Sequence, residues 1–532
     1  MYKVLFSLLL LCAVPAIMYA QPKIEKSEPI EEPAVTDYDK ILLLKNGNTC
    51  YLHYSGNDGI EISMYDLLHK LTFTNRISSE KWDGSEITNT TILGAYEINS
   101  EIVIFLQQPD SKRPVLYRLR INTDDGKLLK EDVVAVLKKG NSYFKRDIVQ
   151  TQLHVIKDPK SGCYAIVFYD NIDEQAAEAV RIMHFDEKHS LLGTAKIMSP
   201  DEKIKHVVFL DAAVNGNKSV YVSIYYLGDN DNESKIFISK LNYGDSIITS
   251  KALDFSNDFH SSVAQLLYNH TNDKLQMLIV THTKTKGNFS SYMSLLCTID
   301  PTTLNVSGVM ELPNNNINMY GRKMLDSKTT FSGVPQAMLL HNDGNFTIIK
   351  QEMTFNARGM IISSTNVGDI GISEFGAEGA ERTSFLLPFR AQATGLGSIL
   401  YLKNITSGKW DNFYRGNRHE SFSMQDYSPR YITGKKNNYL ITNDYCKGID
   451  HSNINKLASA YYERKNTNTY YTTLKNGNAT ECTLFGPLEG KRDSYLCFMD
   501  AADQNDDGLF ATLVTAKKGK STETRVMWIT FE

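Results

Sequence analysis

Three tryptophans and 14 prolines in 532 residues are few, and neither sign of charge dominates: 57 Lys+Arg stand against 61 Asp+Glu. The near-balance, a formal charge of −4, excludes the basic field that nucleic-acid binding requires. So few Trp argue against a sugar-stacking lectin or a quinone-binding ring with one Trp per repeat. With 33 Gly and 42% hydrophobic residues, the chain is neither collagenous nor largely disordered.

Catalytic and cofactor signatures are missing too. There is no C-x-x-C, no H-E-x-x-H and no G-x-S-x-G nucleophile elbow. The Gly-rich stretch Gly368–Gly397 lacks the Gly-Lys-Ser/Thr ending of a phosphate loop, and Gly395-Leu-Gly397 opens no dinucleotide fold. It reads as a long connection, a place to look for a ligand pocket, with Arg382 and Arg390 as its charges. His184 and His189 have no metal-ligand spacing and read as exposed turn residues.

What is present begins with an export signal. Lys3, the apolar run Leu5–Val14 and the small residue Ala20 form the three parts of a cleavable leader over residues 1–20. The run is shorter than the roughly 20 residues of a membrane span, and Leu11 before Cys12 argues against lipid attachment. The expected location is outside the cytoplasm: periplasmic, cell-surface or secreted. Cleavage leaves Cys50, Cys163, Cys297, Cys446, Cys482 and Cys497, an even set that permits disulfides. Cys482 with Cys497 is a candidate bridge; buried free thiols are the alternative. Residues 21–37, rich in Glu, Pro and Lys, read as a disordered tether, so that the folded body spans 38–532.

The strongest signal is a repeat. An apolar residue followed by Asp or Asn and a polar turn recurs at Tyr65-Asp66, Ile121-Asn122, Phe185-Asp186, Leu241-Asn242, Ile299-Asp300 and Phe355-Asn356, with spacings of 56, 64, 56, 58 and 56 residues. Short apolar strands precede these pairs at Ile102–Leu106, Tyr164–Tyr169, Val220–Tyr226, Leu275–Val280 and Ala337–Leu340. Runs of this length suit strands buried on both faces. Units of this size with about four strands match the blade of a β-propeller, which buries both faces of each small sheet by stacking blades in a ring.

The expected fold is therefore all-β, a single propeller of about seven or eight four-stranded blades. Its terminal strand Arg525–Phe531 would close the ring against the other end of the chain, with Ile41–Lys45 as the candidate partner. The rival is a tandem pair of β-sandwiches. Later strands are read at Tyr439–Thr442, Tyr495–Met499 and Leu509–Val514, with a hairpin over Ala458–Arg464 and Thr469–Leu474. The chain is similar to the broad propeller superfamily only at this level. It lacks Trp-Asp repeat ends, kelch Gly-Gly doublets and the Ser-x-Asp-x-Gly-x-x-Trp turns of sialidases; Asn404–Trp410 echoes only their Gly and Trp.

One local motif carries metal chemistry. Asp503, Asn505 and Asp507 place oxygens at alternate positions before Gly508, a spacing that lets a tight loop wrap a hard cation. These residues resemble the calcium loops of integrin-type propeller repeats and of EF-hand-like sites, which implies calcium as the cofactor. Ala511 and Val514 stand where those loops carry acids, and a plain turn is the competing reading. The acidic turn Asp229–Glu233 lacks the Gly and reads as a loop. The functional expectation is a monomeric binding module for a protein or glycan ligand. The alternative is a glycosidase-like hydrolase with carboxylates at the central channel mouth.

Overall fold

The computed structural model describes residues 21–33, 37–56, 58–110, 113–137, 153–169, 180–198, 206–227, 235–253, 260–282, 292–358, 361–394, 429–445, 467–490 and 493–532. The expected leader at residues 1–20, Asn404–Trp410, Cys446, the turn 229–233, the first arm of the expected hairpin at 458–464 and Gly395–Gly397 lie outside them.

Eight antiparallel sheets follow one another along the chain. Blade 1 comprises Tyr38–Leu43, Thr49–Ser55, Gly59–Tyr65 and Leu71–Arg76. Blades 2 to 5 repeat this four-strand meander, beginning at Thr91, Leu153, His206 and His260. Blade 6 begins at Val334 and blade 7 at Arg430. In blades 1 to 5 the first strand touches the first strand of the next blade, which sets these strands around the axis. The fourth strands are exposed in alternation, as in Leu71–Arg76, and form the rim. Eight apolar clusters fill the eight seams, each drawing all or nearly all of its residues from two neighbouring blades. A blade has two apolar faces, and only a ring covers both on every blade. The chain is an eight-bladed β-propeller.

The expected turns are the links between third and fourth strands in blades 1 to 5. In blade 1 the Asp66 carboxylate accepts the N–H groups of Leu68 and Lys70, both at 2.9 Å. In blade 5 Asp300 accepts those of Thr302 and Thr303. Each carboxylate thus replaces a backbone acceptor at a tight reversal.

The sixth expected turn is wrong. Phe355-Asn356 lies inside the strand Phe346–Arg358, where Asn356 pairs with Ser364. Ala337–Leu340 belongs to the first strand of blade 6 rather than to its second. The Gly-rich stretch is not a connection either. Gly368–Phe375 completes the third strand Ile361–Phe375, Gly376–Gly379 is the turn, and Glu381–Leu387 is the fourth strand. Strand pairing with both neighbours over-rides the weak strand preference of glycine.

The tether is corrected in the same way. Lys23–Lys26 is the outer strand of blade 8, paired antiparallel with Met527–Thr530. Ser27 and Ile30 extend the contact to Val526 and Thr524. Ring closure therefore uses Lys23–Lys26, whereas Ile41–Leu43 lies in the first strand of blade 1. Lys-Ile-Glu-Lys cannot build a core, but an outer strand takes its hydrogen bonds from its neighbour and turns charges to water. The five described cysteines, including Cys482 and Cys497, are free thiols. Among the described residues no helix is long and apolar enough to cross a membrane.

Candidate functional site

Polar side chains on the inner strands latch one blade to the backbone of the next. Asp211 of blade 4 accepts the N–H of Leu266 in blade 5 at 2.8 Å. Gln265 of blade 5 grips Met338 of blade 6 through both its N–H and its carbonyl. Asn443 does the same to Cys497 across the seam between blades 7 and 8. Arg430 donates to the Met499 carbonyl, and its burial lowers its pKa. At the closing seam the Lys40 ammonium reaches the Ala502 carbonyl at 2.8 Å. Burying such groups is tolerable only with partners in place, and here the partners are the neighbouring blade.

The calcium-like residues belong to this closing seam. Asp503 is buried, and its Oδ2 accepts the N–H of Leu43 in blade 1 at 2.9 Å. Asn505 Oδ1 accepts the N–H groups of Asp507 and Leu509, both at 3.0 Å, and Asp507 is exposed. The segment is the first-to-second-strand turn of blade 8. Its counterparts use the same device: Asn46 Oδ1 accepts Asn48 N–H in blade 1, and Asp343 Oδ1 accepts Asn345 N–H in blade 6. Gly508 is explained by packing. Its φ is +81°, and a Cβ there would stand 2.4 Å from the Phe531 carbonyl oxygen. Among the described residues no group of three His, Cys, Asp or Glu side chains is placed to hold a metal.

The two histidines are buried, not exposed. His184 Nε2 faces the Gly216 carbonyl, and His189 Nδ1 meets the Tyr164 hydroxyl at 3.1 Å. Burial, with Arg118 and Arg120 nearby, pushes His189 down to about 4. Trp82 and Trp528 are buried as well, and Trp528 stacks on His69 with its indole N–H on Thr49. Arg382 is exposed beside Glu378, and Arg390 pairs with the Asp369 carboxylate.

Sequence reasoning missed three groupings. On the turn face, Asp158 of blade 3 lies beneath its neighbours, accepting from Ser161 at 2.6 Å and from Gly216 N–H at 2.9 Å, and facing His270 Nε2 at 2.9 Å. Burial raises its pKa, but these bonds outweigh burial and hold it below the usual carboxylate range. The carboxylate separates the hydroxyl from the imidazole, so this is no nucleophile–base pair.

On the opposite face, His53 of blade 1 stands between two carboxylates, with Nδ1 2.9 Å from Asp39 and Nε2 3.8 Å from Asp37. Burial lowers its pKa, yet the acids prevail and the net direction is upward. Tyr51 also donates to Asp39 at 2.8 Å. Both carboxylates turn toward one imidazole rather than flanking an open gap, unlike a glycosidase pair.

The third grouping is a cleft. Between blades 5 and 6 the chain forms one helix, Asn315–Leu325, docked on the fourth strand of blade 6. Ile317 packs with Phe331 and Leu386. Gly321 allows the close approach, since a Cβ there would meet Leu386 at 2.6 Å. Buried Lys350 pins the helix entry through the Leu312 and Pro313 carbonyls and Asn314 Oδ1, at 2.9 to 3.2 Å. Burial lowers Lys350 to about 8. Asn318 pins the exit through both backbone groups of Phe331. A cleft of about 600 Å³ opens on the outward face, lined by Asn315, Asn318, Met319, Arg322, Lys323 and Thr330. Asn315, Asn318, Met319, Arg322 and Lys323 share one helical face at spacings of three and four, a periodicity that a search for strands and turns passes over.

No protein-family profile matches the chain, and no curated protein does. Solved structures do. The WD40 domain of SCAP from fission yeast aligns with 96% of this chain and 94% of its own at 9% identity, TM-score 0.37. The β-propeller domain of the Trilobed protease from Pyrococcus furiosus aligns over 66% and 95% at 10% identity, TM-score 0.32. The polysaccharide lyase Uly1 aligns over 82% and 89% at 10% identity, TM-score 0.38. Likeness this distant carries no argument about function.

Proposed function

We propose that the chain is an exported binding module, a rigid propeller that presents a ligand site for a protein or glycan. One observation carries this reading. The ionisable side chains described above around the axis, Lys40, Asp211, Arg430 and Asp503, are bonded to the backbone of neighbouring blades, as structural latches rather than reacting groups. The unpaired cations of the cleft sit on the outer flank instead. The hydrolase alternative requires two carboxylates facing a shared gap, and the groupings around Asp39 and Asp158 lack that arrangement. The test is a screen of glycans and proteins against the secreted full-length chain, with product analysis of every ligand retained. A ligand bound and recovered intact supports the reading; turnover of a bound glycan overturns it.

A further inference from the structure

We propose that the cleft on the blade 6 helix is an anionic-saccharide site, an inference that rests on the binding-module reading and names its ligand class. Four observations converge. First, the helix is a firmly seated insert, held at its entry by buried Lys350, at its exit by Asn318 and along one face by Ile317 and Gly321. Such anchoring pre-organises whatever the outer face presents.

Second, that face is cationic. Arg322 and Lys323 are exposed in the last turn of the helix, with no acid within ion-pair distance among the described residues, and no acid lines the cleft. Most other exposed arginines described on the surface do have one: Arg76 pairs with Asp58 and Arg382 with Glu378.

Third, the remaining free lining groups are the Asn315 amide and the Thr330 hydroxyl, which serve as donors and acceptors to ligand hydroxyls. The Asn318 side chain is occupied by the backbone of Phe331 and Asn314. Fourth, the lining has neither an aromatic ring nor a strand edge. A neutral sugar would need a stacking platform. A peptide would need an apolar pocket or an edge to extend. What remains is charge plus hydroxyl recognition, with Met319 as the sole apolar contact: an oligosaccharide bearing carboxylates or sulfates.

The experiment uses calorimetry on the full chain, with four probes: an oligogalacturonate, a heparin-derived tetrasaccharide, maltotetraose and a poly-glutamate peptide. The two anionic saccharides separate carboxylate from sulfate recognition. At least one of them should bind, weakening as salt is raised. The double variant R322E/K323E should weaken that binding by roughly tenfold or more without shifting the melting midpoint. A control reversal on the blade 8 hairpin, K518E/K520E, should leave it unchanged. Equal binding of maltotetraose, equal binding of the peptide through the same two residues, equal loss in the control, or no binding by either anionic saccharide would each overturn the inference. If the wider screen yields a ligand indifferent to R322E/K323E, the cleft inference fails and the binding-module reading stands. If the chain turns a glycan over, that reading itself fails.

Discussion

Blades 1 to 5 and blade 6 share one four-strand plan but are specified by different means. In blades 1 to 5 an Asp or Asn ends or directly follows the third strand, and its side chain closes a short turn upon itself. Blade 6 has strands of 13 and 15 residues and a glycine-based turn at Gly376–Gly379. It also carries a helix ahead of its first strand and an extra strand, Ala391–Thr394. The regular blades are written in local chemistry, because an Asx turn needs only its own few residues. The elaborated blade is written in anchors far apart in sequence, such as Lys350 under the helix entry. The same departure from the plan exposes the unpaired cations, so the irregular blade is where a ligand site arises.

The comparison can be broken at blade 8, the one blade assembled from both ends of the chain. Deleting residues 21–26 removes its outer strand and the backbone bonds along Met527–Thr530. We expect a loss of roughly 3 kcal/mol or more in urea unfolding, since a whole edge pairing goes at once. A loss below about 1 kcal/mol would show that the N-terminal strand only decorates a ring already closed by its apolar seam.

Next in size is Lys350→Met. Three acceptors lose their donor in a buried site, and a cost of about 2 kcal/mol is expected. The pH dependence sharpens the test. Lys350 has a folded-state pKa of about 8 against an ordinary 10.5. Between those values the unfolded chain holds the proton and the folded chain does not, so stability contributed by this group rises with pH across that window. Wild type minus variant should therefore grow from pH 8 to pH 10; a flat difference would mean that the ammonium is not desolvated.

Smaller effects compare a regular seam with the closing one. Asp211→Ala and Asp503→Ala each strand one backbone N–H between blades and should each cost about 1–2 kcal/mol. The corresponding Asn variants keep an acceptor and should recover most of that. If Asp503→Ala costs markedly more than Asp211→Ala, the closing seam depends on its latch in a way the internal seams do not.

Much of the fold was legible for the same physical reason that the regular blades are regular. Five of the six recurring turns are where the spacing predicts, because both the turn chemistry and the apolar strands before it are local. Phe355-Asn356 shows the limit: it satisfies the pattern but is paired within a long strand, a fact set by Ser364 across the sheet. Lys23–Lys26 was hidden because an outer strand needs little hydrophobicity, and its partner lies some 500 residues away. The cleft left only the one-face helical spacing of Asn315, Asn318, Met319, Arg322 and Lys323, which is polar and so gives no core signal. Arg322 and Lys323 are unremarkable on a helix until the fold shows that no acid among the described residues is within ion-pair distance of them.

The smallest effect expected concerns calcium at blade 8. Asp503, Asn505 and Asp507 have the spacing of a cation loop, yet blade 1 and blade 6 close their equivalent turns with the same Asx bonds. A bound ion would have to compete for the Asp503 and Asn505 side-chain oxygens with the N–H groups of Leu43, Asp507 and Leu509. Binding to the folded state raises the melting midpoint by mass action. The midpoint should therefore be the same in millimolar calcium and in chelator. A rise with calcium that is abolished by Asp507→Ala, a residue outside the latch, would restore the cation-loop reading. It would also set blade 8 apart from the turns it otherwise copies.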